Sequence, residues 1–210
     1  MVSKRGNWRY VTPMEISRRE RKKIKTKSDI LRAARHLFEE KGYDDVSIED
    51  ITERSDVSKG TFFNYFNSKE GLLKAIAEEE VDDIQELYER EGQNFKSCRD
   101  RIKLIMKRLL DDSIPYMHLT GRVVFSTIIN SNEDVSPFYA INEMIDSLVQ
   151  EGQMCGEFSK EYPSKYIVTA ILGAYYGLIF TWFEHKKETI GWSELECILD
   201  AVFKGFNNII

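Results

Sequence analysis

Between Ser55 and Leu73 one short run gathers Lys59, Gly60, Thr61, Asn64 and Lys69 together with Phe62, Phe63, Tyr65 and Phe66. Charge, small size and hydrogen-bonding tips, set among rings, suit the holding of a polyanion rather than the making or breaking of bonds. Residues that would do covalent chemistry are not arranged for it. The chain has no Gly-x-Ser-x-Gly, no phosphate-binding glycine loop ending in Lys-Ser/Thr and no His-Glu-x-x-His, and His36, His118 and His185 are scattered. Neither an enzyme nor a cofactor is expected. Three cysteines, Cys98, Cys155 and Cys197, are odd in number and widely spaced. They point to reduced thiols in a cytoplasmic protein, with no disulfide framework and no metal site. The charged N-terminus lacks the apolar core of a secretory signal.

A helical wheel at about 100° per residue sorts the run. Thr61, Phe62, Tyr65 and Phe66 fall on one arc, which anchors a helix too short to be stable alone. Lys59, Gly60, Phe63 and Asn64 fall on the opposite arc, a flat polar face with one ring, where Gly60 lets another backbone come close. Such a face suits the second helix of a helix–turn–helix, which lies in the major groove of DNA.

The elements that must hold this face can be read around it. Ile30, Leu31, Ala34, Leu37 and Phe38 form the stripe of a helix over about 21–41, stopped by Gly42. Ser47, with Asp50 three residues on, starts a second helix in the manner of a capping box. Ser55-Asp56 turns the chain, Asp56 tolerating left-handed backbone, and Ser58 caps the third helix. Asn67-Ser68 breaks it, and a long helix follows. Charge is uneven: residues 1–41 sum to +8, residues 1–74 to +5 and the remainder to −10. A basic front on an acidic body places the polyanion at the front.

At this point the sequence resembles the TetR family of bacterial transcriptional regulators. The resemblance rests on Phe38-x-x-x-Gly42-Tyr43, Ser47-Ile48-x-x-Ile51, and Val57-Ser58-Lys59-Gly60-Thr61-Phe62-Phe63-Asn64-Tyr65-Phe66 followed by Lys69 and Leu72. It covers about 45 residues with unbroken spacing. Thr52 stands where the family has Ala, Asp56 where it has a turn Gly, and Phe63 where it often has a phosphate-touching Tyr. The resemblance implies an all-α dimer whose larger C-terminal domain binds a small effector and so controls binding to a palindromic operator. It implies DNA contacts from Ser47, Ser58, Lys59, Gly60, Thr61, Phe63, Asn64 and Lys69. Ser47 and Lys69 are expected as phosphate clamps, Lys59 as a reader of guanine, and Phe63 as a ring packed on a thymine methyl or sugar.

Residues 1–20 are expected as a basic arm, 21–73 as the DNA-binding domain, and 74–210 as the helical effector and dimerisation domain. In that body Tyr166 to Phe183 carries no charge for 18 residues. Its length nominates a membrane span, but two Thr, two Gly and a Tyr pair favour a helix buried on both faces, by its own domain and by a second subunit. The dimer interface is expected at Gly173, Gly177, Leu195, Leu199, Val202 and Phe206. Met106, Leu109, His118, Arg122, Phe125, Tyr139, Asn142, Tyr175 and Trp182 are the expected liners of an effector pocket, for an apolar or amphipathic molecule. A DNA-binding dimer that senses nothing is the rival reading.

Overall fold

The computed structural model describes residues 17–117, 119–121, 137–185 and 191–207. These are helical, with no strand among them. The helices are α1 (Arg18–Lys41), α2 (Ile48–Arg54), α3 (Lys59–Phe63), α4 (Lys69–Glu91), α5 (Cys98–Ser113), α6 (Pro137–Cys155), α7 (Ser164–His185) and α8 (Trp192–Gly205). Short 3-10 turns follow α4 at Gly92–Asn94 and α5 at Ile114–Tyr116.

Serine hydroxyls set where the helices start. Ser17, Ser47, Ser58, Ser68 and Ser97 each accept a backbone N–H of the first turn, at 3.0–3.1 Å. Each thereby satisfies a donor that the helix itself leaves unpaired. Ser47 and Asp50 complete a reciprocal box, which holds the Asp50 carboxyl down at about 2. The stops are equally local. Gly42 takes φ +83° and donates to the Phe38 carbonyl at 2.9 Å. Asp56, at φ +53°, makes the left-handed turn between α2 and α3.

The start of α1 differs from the expected arm. Ser17 and Glu20 form a capping box, so Arg18–Glu20 already belong to α1, and the helix starts three residues ahead of expectation. From there to Ser28 the helix is almost wholly exposed, and its first fully buried residues are Ile30 and Leu31. The rest of the expected arm, with Arg5 and Arg9, lies outside the described residues.

Two hydrophobic cores share one helix. Ile30, Leu31, Ala34, Leu37 and Phe38 of α1, Ile51 of α2, Phe62 of α3, and Leu72 and Ile76 of α4 form the first. Val81 and Ile84 of α4 join α5 to α8 in the second. The change of core falls between Ile76 and Val81, a few residues beyond the expected edge at 73.

The uncharged stretch is α7. Ile167, Val168, Ile171, Leu172, Tyr175 and Ile179 are buried in the second core. Tyr166, Gly173, Gly177 and Phe180 are exposed on the other side. No helix among the described residues is long and apolar enough to cross a membrane. Two of the expected interface residues are corrected here: Leu195 and Leu199 of α8 are fully buried in the chain's own core and are not available to a partner. Val202 and Phe206 are partly buried against the same core, while Ile198 is the exposed apolar residue of that helix.

The overhanging part of α1 rests on its cap instead of on packing. Ser17→Ala should lower its local opening free energy by about 1 kcal/mol. Amide exchange in the first turns should quicken about fivefold, while the global unfolding midpoint in urea stays near that of the parent protein. Hydrogen exchange read residue by residue checks both.

Candidate nucleic-acid interface and effector cleft

Helix α3 divides as the wheel requires. Phe62 and Phe66 are buried at 0% and 4% exposure, Thr61 and Tyr65 are half-buried, and Lys59, Gly60 and Asn64 are exposed. Phe63 is 49% exposed and stands edge-on to Phe62, with ring centroids 5.4 Å apart. Its ring is therefore held from beneath and offered outward. A Cβ on Gly60 would meet only the Ser58 Oγ, at 3.8 Å, an ordinary contact. Nothing among the described residues requires glycine there.

Ser47, Lys59, Phe63 and Lys69 border one shallow surface cleft, together with Glu49 and Glu70. Ser58 spends its oxygen on the Thr61 N–H and lies 2.9 Å from the Thr61 hydroxyl. Lys59 pairs with Glu49, whose carboxyl it holds below the usual range. Both side chains are more than half exposed, so the pair contributes little and a phosphate can displace it. Lys69 is placed differently from a free phosphate clamp. Its ammonium donates to the carbonyls of Tyr43 at 2.7 Å and Val46 at 2.8 Å, and lies 4.3 Å from the centre of the Tyr43 ring. Two of its three N–H groups thus tie the α1–α2 loop to α4, and one remains for an outside acceptor.

A second cleft lies where the two cores meet. Leu73, Ile76, Ala77, Glu80 and Val81 of α4 line it, with Leu109 and Ser113 of α5, Tyr116, Leu119, Thr120, and Tyr175 of α7. As a cavity it measures about 30 Å³, room for a water or a methyl group, so a larger guest must widen it. Three of its polar side chains bear on what it can bind. The Ser113 hydroxyl donates to the Leu109 carbonyl at 2.6 Å. Its single proton is then spent, so Tyr175 donates to Ser113 Oγ, also at 2.6 Å. Glu80 is the third, and burial pushes its carboxyl up to about 7 against the pull of Arg35, with Asp112, Asp83 and Glu79 adding to the rise.

The comparisons fit this geometry. The family model for bacterial regulatory proteins of the tetR family matches residues 30–76, the span from the first buried residue of α1 through α3 into α4. The helix–turn–helix end of the chain thus resembles the DNA-binding domain of the TetR family. The uncharacterized HTH-type transcriptional regulator YvdT of Bacillus subtilis is 49% identical over 49 residues, 23% of this chain and 25% of that protein. The match therefore spans a quarter of that relative's length. The TetC protein of transposon Tn10 in Escherichia coli is 26% identical over 191 residues, 86% of this chain and 90% of TetC. Among solved structures, Thermus thermophilus FadR, a TetR-family repressor in complex with lauroyl-CoA, superposes with a TM-score of 0.65 at 19% identity, over 85% of this chain and 94% of FadR.

The expected pocket residues separate. Leu109 and Tyr175 line the cleft, and Met106 is fully buried in the core behind them. Tyr139, 55% exposed, and Asn142 face outward from α6 and do not line this cleft among the described residues. Trp182 packs, partly buried, against the second core. His118, Arg122 and Phe125 lie outside the described residues. Glu80 and Ser113 were missed, although the sequence carried a signal for both. Glu80 sits four residues after Ile76 and four before Ile84, and Ser113 four after Leu109, so each interrupts an apolar helical stripe.

Lys69 holds the fold of the helix–turn–helix before it holds anything else. Lys69→Ala leaves two carbonyls without their donor and should cost about 1–3 kcal/mol in urea denaturation. Lys69→Arg should recover only part of this, because a planar fork does not reproduce the ammonium's two contacts.

Proposed function

We propose that this TetR-family transcriptional regulator is a repressor that binds a palindromic operator as a homodimer and responds to a small apolar or amphipathic effector. The observation that carries the DNA-binding reading is the outward face of α3, Lys59, Gly60, Phe63 and Asn64, fixed from below by Phe62 and Phe66. A face so flat and so firmly based suits a major groove. The role is one of binding, without catalysis, in the cytoplasm where the DNA is.

Each half has its support. The single helix–turn–helix among the described residues and the exposed Gly173–Gly177–Phe180 side of α7 favour a twofold pair. The cleft between the cores, with its apolar wall and few polar groups, favours an effector, as does the lauroyl-CoA with which Thermus thermophilus FadR is in complex. The small cavity volume favours the rival reading of a dimer that senses nothing. A rise in melting temperature with a small molecule separates the two, since only a ligand preferring the folded state raises it.

The full chain should bind operator-bearing duplex DNA with an affinity that falls steeply as salt rises, because its cations displace counterions from phosphates. Binding that ignores salt, or no binding to any palindromic fragment, removes the reading. Gly60→Ala is the sharper probe. The new methyl group meets nothing strained inside the chain and improves helix propensity by up to about 1 kcal/mol. Stability should hold or rise while operator affinity drops about tenfold or more.

The dimer is tested separately. Among the described residues, a Cβ on Gly173 or Gly177 meets nothing beyond its own helical turn within 4 Å. Gly173→Leu and Gly177→Leu should therefore fold normally by circular dichroism. At a twofold contact the same leucine overpacks, which costs about 1–3 kcal/mol. Sedimentation should show dissociation, and operator affinity should fall with it, because a lone helix–turn–helix loses the second half-site. Variants that stay dimeric place the interface elsewhere.

A further inference from the structure

The cleft between the two cores has an unusual floor for an apolar site. Its walls are Leu73, Ile76, Val81, Leu109, Leu119 and Tyr175. Among the described residues that line it, the ionisable group that carries charge near neutrality is a carboxylate, Glu80. Its ionic partner there is Arg35 of α1, with Nη1 3.8 Å from Oε1, too long for a hydrogen bond. Arg35 is better satisfied elsewhere, since its Nη2 donates to the Ile76 carbonyl at 3.2 Å and to Glu79 at 3.0 Å. The Glu80 side chain is only 21% exposed, so water supplies little of what Arg35 does not. Asp83 and Glu79 on α4 and Asp112 on α5 surround it with like charge, while Arg108 is spent on Asp112 at 2.7 Å. A carboxylate so placed, in the wall of a largely apolar cleft, is short of a cation.

We propose that the cleft takes a small apolar amine, its hydrocarbon part against Leu73, Leu109 and Tyr175 and its ammonium hydrogen-bonded to Glu80. This deepens the effector reading above and rests on it. Binding gives Glu80 the close, charge-assisted hydrogen bond that Arg35 is too far away to give. It also takes Glu80 from Arg35 and leaves that guanidinium to Glu79 and the α4 backbone. An anionic ligand of the same shape meets the opposite balance, a buried carboxylate with three others near it.

The test uses the full-length protein and three probes of one shape: n-hexylamine, n-hexanol and n-hexanoate. Titration calorimetry and melting shifts at pH 8 should rank them amine, alcohol, acid, with the amine about tenfold tighter than the alcohol. The amine's advantage should shrink between pH 8 and pH 6, because the burial that raises the Glu80 carboxyl to about 7 leaves it increasingly protonated there, while the amine stays charged. Glu80→Gln keeps the shape and should erase the amine's advantage at every pH, its fold checked by circular dichroism. The proposal fails if hexanoate binds as well as hexylamine. It fails equally if Glu80→Gln keeps the preference, or if none of the three binds. A protein that holds operator DNA yet shows no amine preference overturns this inference and leaves the regulator standing. A protein that prefers the amine but binds no DNA does the reverse.

Discussion

The whole arrangement depends on α4 being one unbroken helix with a place in two cores. Leu72 and Ile76 close the core under the helix–turn–helix, and Val81 and Ile84 open the core of the body. A helix is stiff along its axis, so a movement at one end is carried to the other. The joint is braced from both sides. Arg35 of α1 grips α4 at Ile76, Glu79 and Glu80. Leu119, which follows the 3-10 turn after α5, is buried in the first core. The cleft lies at this brace, touching Leu73 and Ile76 on one side and Leu109 and Tyr175 on the other. Whatever fills it must shift side chains that belong to both cores, which is a physical route for coupling as distinct from mere proximity.

The DNA-binding end shows how little regular structure a precise surface needs. Helices α2 and α3 have seven and five residues, far below what is stable alone in water. Serine caps satisfy their first turns, Asp56 takes the left-handed turn, and Phe62 and Phe66 pin α3 to α1 and α4. All of this was legible in the sequence. Period, caps and turn residues are local signals, and here they agree with one another. The wheel put Phe63 outside and Phe62 inside, one residue apart, and the structure has them 49% and 0% exposed.

What stayed hidden required knowing which surfaces meet. The Ser17–Glu20 box was overlooked because no apolar stripe follows it for nearly three turns, and the cap alone marks the start of α1. Lys69 read as a free cation because its acceptors, the carbonyls of Tyr43 and Val46, lie more than twenty positions back in sequence. Leu195 and Leu199 have the spacing of an interface stripe, and a core stripe has the same spacing. Only packing tells them apart, and packing puts both at 0% exposure within one chain. Tyr139 and Asn142 are absent from the described cleft for the same reason: type suggested a lining, and position on α6 turned them outward.

Charge completes the division of labour between the two ends. The first 41 residues sum to +8 and those after residue 74 to −10. The exposed stretch of α1 carries Arg18, Arg19, Arg21, Lys22, Lys23, Lys25 and Lys27 against the single acid Glu20. Near a polyanion such a molecule feels a torque as well as an attraction, because the acidic body is repelled while the basic front is drawn in. Orientation is thereby decided before any base edge is touched. The exposed Lys59–Glu49 pair then yields easily, since its mutual attraction is weak in water and the phosphates offer Lys59 a stronger field. On the proposed reading, long-range charge brings the right face forward, and the short-range fit of Gly60, Phe63 and Asn64 is left to choose the sequence.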